Sequence, residues 1–131
     1  MVAHAGAALP SLIGRLDSCV EHDHAIADRL QAKPTDYLRR FYFDNVAYSK
    51  PALDNLMAFV DEEKIMFGTD NPFFPPLHTD DIFTAQWPST VKVWDTMNEL
   101  PEVTRKKFVF QNASRVLGLP RENAYTRPAN F

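Results

Sequence analysis

Two side chains stand where a short apolar run gives way to a loop, and both could do chemistry. His4 closes the run Met1–His4 ahead of Ala5-Gly6. Asp70 follows Ile65-Met66-Phe67 and Gly68-Thr69, ahead of a loop that holds Pro72, Pro75 and Pro76. In parallel α/β architectures the C-terminal ends of strands face the active site. An imidazole or a carboxylate placed there can relay a proton or bind a metal. The plainer alternatives are a hydrogen-bonded histidine at a strand edge and a turn aspartate, which Asn71-Pro72 favours. Arg15, eleven residues after His4, is either an exposed arginine or a two-pronged grip for a substrate carboxylate.

Other chemistry-bearing residues carry less. Histidines at i and i+2 share a face on a strand but diverge on a helix. His22-Asp23-His24 ends a helical stretch, so it reads as a solvated helix terminus and not as a metal pair. His78 sits among Thr79, Asp80 and Asp81 with no partner at ligand spacing and reads as surface. Cys19 falls on an apolar helical stripe, which predicts a buried, inert thiol. The sequence has no Gly-rich phosphate loop, no nucleophile elbow and no Cys-x-x-Cys pair.

The elements that must position His4 and Asp70 alternate. After the first run, Leu12, Ile13, Leu16, Cys19 and Val20 repeat at helical spacing. A second, polar helix is predicted over 25–32, stopped by Pro34. Phe41-Tyr42-Phe43 then reads as a buried strand that ends at the polar pair Asp44-Asn45. Ser49 can cap a helix with Pro51 in its first turn and the stripe Leu53, Leu56, Met57, Val60. Residues 65–67 form the next strand, and 71–77 a stiff loop. Helices are predicted over 87–100, with Val91, Trp94 and Met97 spaced by three, and around 109–117. In the latter Asn112 serves as a cap and Gly118 as the stop.

Strand, helix, strand, helix, strand, loop and helices imply an α/β fold with about three parallel strands. The 131 residues, 45% hydrophobic and 24% charged, allow one domain with a core. A three-stranded sheet of such apolar strands leaves two open edges, as expected for part of a larger sheet. The net charge of −3 argues against a nucleic-acid partner. No run of 18 apolar residues exists to span a membrane. One cysteine excludes a disulfide framework and predicts a reducing compartment. Residues 5–14 imitate a signal-peptide core, but no basic residue precedes them and Pro10 interrupts them, so a cytoplasmic protein is expected.

Four segments, in order, resemble the amidohydrolase superfamily. They are His4-Ala5-Gly6-Ala7 with Leu9-Pro10 and Gly14-Arg15; Phe41-Tyr42-Phe43-Asp44; Phe67-Gly68-Thr69-Asp70-Asn71-Pro72-Phe73; and Asn112 to Leu119. The stretch Arg15–Asp23 is similar to the aminocarboxymuconate-semialdehyde decarboxylase group, which includes decarboxylases of methylsalicylate and of carboxylated pyrimidines. The resemblance covers residues 2–119. It implies residues 1–119 as the C-terminal portion of a metal-dependent (β/α)8 barrel, from the sixth strand on, and 120–131 as a tail. It implies a divalent metal, usually zinc, and a homo-oligomer. By the same resemblance, Asp70 is the last-strand aspartate that binds the metal or exchanges a proton. His4 is the histidine beside the metal-bound water, Arg15 a carboxylate-binding arginine, and Phe73, Phe74 and Pro75 an apolar wall for a planar ring.

The implied activity is decarboxylation of an aromatic or unsaturated carboxylic acid. The alternatives are hydrolysis of a lactone or amide, and an inactive remnant or split half that needs a partner chain. The sequence departs from the family in lacking the first-strand His-x-His pair and the fifth-strand histidine. A complete barrel of this type takes about 250 residues.

Overall fold

The computed structural model describes residues 1–81 and 85–119; the expected tail at 120–131 lies outside them. Chain order is a turn over His4–Gly6, α1 (Leu9–His22), α2 (His24–Ala27), α3 (Pro34–Leu38), β1 (Phe43–Asp44), α4 (Lys50–Met57), a 3₁₀ turn over Glu62–Lys64, β2 (Ile65–Met66), α5 (Pro88–Asn98), α6 (Glu102–Lys106), a π-helical turn over Lys107–Gln111 and α7 (Asn112–Leu117).

The sheet is parallel, as alternation predicts. β1 pairs with β2 through Phe43–Ile65 and Asp44–Met66. The first apolar run contributes only a single parallel bridge, Val2 to Phe43, instead of a third strand. Its backbone bonds are Val2 N to Tyr42 O at 2.7 Å and Asp44 N to Val2 O at 3.2 Å. Beyond Ala3 the chain turns left-handed at His4 and cannot continue a ladder. Architecture is thus mixed, mostly helical around a small parallel sheet, consistent with part of a barrel.

The core gathers on that sheet. Phe43, Leu53, Leu56, Ile65, Val93, Met97 and Phe108 are fully buried, with Val46 and Val60 beside them. The α4 stripe is therefore buried as its spacing predicts, and Ser49 caps the helix by accepting from Ala52 N. The α5 face is rotated from expectation: Ser89, Val93, Thr96 and Met97 are buried while Val91 is exposed.

Three further expectations are corrected. Only Pro10 and Ile13 of α1 are buried; Leu12, Leu16 and Cys19 are exposed, because α1 meets α3 and α4 along a different face. Cys19 is therefore not a core residue. Pro34 does not merely stop a helix. The polar helix shortens to α2, and Pro34 opens α3, where its missing N–H costs nothing. Asn112 is no cap. Its buried amide donates to Glu62 O and Ile65 O, both at 2.7 Å, and pins α7 to the entry of β2. Gly118 ends α7 at φ 64°, as predicted.

Glu62 reinforces the same junction. It accepts from Lys107 Nζ and Thr104 Oγ1, each at 3.0 Å, and the Lys107 bond foremost holds its carboxyl below the usual range. Phe67 N donates to Phe108 O at 2.9 Å, so the outer edge of β2 is bonded on both sides of Met66. Replacing Asn112 by Ala removes both donors and strands the buried Ile65 carbonyl. Urea unfolding should show a loss of about 2 kcal/mol; a change below about 0.5 kcal/mol, within the range of ordinary surface substitutions, would contradict the pinning role.

Candidate functional site

The end of β1 is polar although it lies in the core. Asp44 and Asn45 are both buried, and each ties down a neighbouring segment. Asp44 Oδ2 accepts from His4 N at 3.0 Å, and Oδ1 from Ala5 N at 2.9 Å and Val46 N at 3.0 Å. Asn45 Oδ1 accepts from Gly68 N at 2.8 Å. The segment carrying His4 and the segment leading to Asp70 are thus fastened to the same two residues. Two glycines make this approach possible. A Cβ on Gly68 would sit 3.2 Å from Asp44 Cβ and Val46 Cγ2, and one on Gly6, at φ 78°, would meet the Phe43 ring at 3.1 Å.

Beyond this pair lies a cavity of about 300 Å³ lined by His4, Tyr48, Asp70, Phe73 and Phe74. Four of the five have left-handed backbone: φ is 55° at His4, 56° at Tyr48, 59° at Asp70 and 55° at Phe74. Among the described residues the only other non-glycine cases are Ala5 and Ala7, in the turn that follows His4. Strained backbone persists where surrounding structure over-determines it, and it clusters at functional sites. A larger groove opens between the closing helices. Its charged side chains are engaged with neighbours, Lys106 with Glu102, Lys107 with Glu62, Arg115 with Glu63 and Arg105 with Asn98, so the smaller cavity is the candidate site.

His4, Asp70, Phe73 and Phe74, all singled out in the sequence, meet at this cavity. Arg15 lies exposed on α1 and is not among its lining residues. Tyr48 is the residue the sequence reading missed. Its hydroxyl donates to Asp70 Oδ2 at 2.6 Å, and its ring meets Phe74 edge-on at 6.0 Å. Burial first, then the bond to Asp70 and the charges of Asp70 and Asp44, push its pKa up, which keeps the phenol a donor. Its signal was positional: it follows the C-terminal end of β1, between the two segments that supply His4 and Asp70.

His22, Asp23 and His24 are exposed at the α1–α2 junction. Asp23 accepts from Ala25 N and Ile26 N, and His22 Nδ1 bonds Ser18 O; this is a helix terminus, as read. His78 is exposed. Among the described residues no three His, Cys, Asp or Glu side chains converge as metal ligands. A catalytic zinc takes three protein ligands. His4 and Asp70, the two candidates at the cavity, do not make up such a set by themselves.

The amidohydrolase sequence family matches residues 1–119. A 2-amino-3-carboxymuconate-6-semialdehyde decarboxylase of Dictyostelium discoideum is 30% identical over 122 residues, 89% of this chain and 30% of that protein. The apo structure of IDCase from Metarhizium anisopliae superimposes with a TM-score of 0.77 at 34% identity, over 89% of this chain and 33% of that one. A dihydroxybenzoic acid decarboxylase of Polaromonas, solved with bound manganese and 2-nitroresorcinol, shares the fold with a TM-score of 0.61 at 23% identity, over 95% of this chain and 35% of that one. The chain thus spans about a third of the relatives it matches. Titrating the 131-residue polypeptide with zinc in a calorimeter should reveal no stoichiometric site; one-to-one uptake would contradict the incomplete donor set.

Proposed function

The chain belongs to the amidohydrolase family, and from that membership we propose that it forms the C-terminal part of the active site of a metal-dependent carboxy-lyase. The substrate class is an aromatic or unsaturated carboxylic acid. One observation carries this reading: a carboxylate, a phenol, an imidazole-bearing turn and two phenylalanines line the same cavity. Its apolar side, Phe73 and Phe74, suits a planar ring. Its polar side, Asp70 and His4, suits the carbon that loses carboxylate.

In this reading the Asp70 carboxyl delivers a proton to the ring carbon that bears the carboxylate. That carbon becomes tetrahedral, its bond to the carboxylate breaks, the electron pair returns to the ring and carbon dioxide leaves. Asp70 is left as carboxylate and regains a proton from water. His4 holds or relays a proton at the same end of the cavity, and Arg15, which lies outside this cavity on α1, would meet a substrate carboxylate across a subunit contact. The metal is divalent, with zinc as the identity the resemblance implies and Asp70 as one ligand. Its remaining ligands would come from outside the described residues. The same reading takes the protein as cytoplasmic and as a homo-oligomer.

Asp70→Asn keeps a residue tolerant of the left-handed backbone and removes the proton. Carbon dioxide release from a hydroxybenzoate-type acid should fall roughly 100- to 10,000-fold with little change in the unfolding midpoint. Turnover within a few-fold of the original would refute the role of Asp70. Consumption of water with release of acid but no carbon dioxide would instead mark a hydrolase.

A further inference from the structure

An aspartate at the end of a strand has two soft torsions, and its catalytic value depends on which way its oxygens face. The Asp70 backbone is held: its carbonyl accepts from Phe73 N at 2.8 Å, and its φ is 59°. Its side chain is held by one residue. Tyr48 donates to Oδ2 at 2.6 Å, while Oδ1 has no hydrogen bond among the described residues.

Tyr48 is itself fixed in an unfavourable conformation. Its φ of 56° is costly for an aromatic residue. The preceding turn is closed by Ala47 N to Asn45 O at 2.8 Å, and Phe74 packs edge-on against the ring. Left-handed backbone therefore stands at both ends of the Tyr48–Asp70 bond. The bond also joins two different strand-end loops, 22 residues apart in sequence. A ring that served packing alone would need neither the strained backbone nor the hydroxyl.

We propose that Tyr48 is a positioning residue: its phenol anchors Oδ2 of Asp70 and so turns Oδ1 toward the substrate cavity. Pre-organisation of this kind acts on the reacting geometry and leaves substrate affinity nearly untouched. The proposal rests on the reading of Asp70 as the proton donor, and its test separates the two.

Tyr48→Phe keeps the ring and its contact with Phe74 and removes only the hydroxyl. In the natural, metal-loaded protein, kcat should fall about tenfold, the loss of one hydrogen bond, with KM within about twofold. The second readout needs no activity. Unfolding midpoints of Tyr48→Phe, Asp70→Ala and the double variant should be non-additive, as for two groups in direct contact. Unchanged kcat in an active protein, a rise in KM without loss of kcat, or additive midpoints would each overturn the proposal. A wild-type protein without decarboxylase activity would refute the proposed function. The midpoint cycle alone would then decide for or against the bond.

Discussion

The carboxylate of Asp44, buried at the end of β1, accepts three backbone N–H groups, two of them from residues 39 and 40 positions earlier in the chain and one from nearby Val46. A buried carboxylate is tolerable only when its lone pairs are filled, and here two of the three donors come from the turn that carries His4. Asn45 does the matching work on the other side through Gly68 N. Three parallel segments converge on this polar pair, and the cavity lies immediately beyond it. The sheet adds little beyond this pair to set how His4 and Asp70 face one another, because β1 and β2 are each two residues long and Val2 contributes a single bridge.

The strain in the cavity follows from that arrangement. Four lining residues hold left-handed backbone, and each such residue costs on the order of 1–3 kcal/mol. One long-range bond and two local turn bonds accompany these conformations: Asp44 at the His4 turn, the Ala47–Asn45 turn before Tyr48, and the Phe73 amide at Asp70. Burial of Phe43, Ile65, Leu53, Leu56 and Phe108 around the sheet supplies the stability that offsets it. Not every polar group is satisfied. Asn45 Nδ2 is buried without a partner among the described residues, a cost taken at the residue that also holds the Asp70 segment.

Much of the site was legible in the sequence because its residues follow apolar runs. Asp70 follows β2 and His4 the bridge at Val2, and Phe73 and Phe74 follow at a fixed distance along a proline-stiffened loop. The Ser49 cap, the α4 stripe and the Gly118 stop were legible for the same local reason. What was hidden depends on tertiary contact. Cys19 lies on a regular apolar stripe, yet no described element covers it. Asn112 has the look of a cap, yet its amide reaches 47 residues back to Ile65. Tyr48 could not be found from spacing, since its role comes from a left-handed turn that delivers its hydroxyl to a second loop. Pro34 opens α3 instead of only closing α2, a choice that flanking sequence does not announce.

The most direct test of this account is amide hydrogen exchange at His4, Ala5 and Val46, with Asp44→Asn compared to the original protein. The substitution keeps shape and replaces one acceptor oxygen by a donor, leaving at least one buried N–H unsatisfied at about 1–3 kcal/mol. If the Asp44 carboxylate organises the site, these three amides should exchange at least about tenfold faster, while those of α5 keep their protection. Equal exchange at His4 and Ala5 in the two proteins would show that the His4 turn is held by something else.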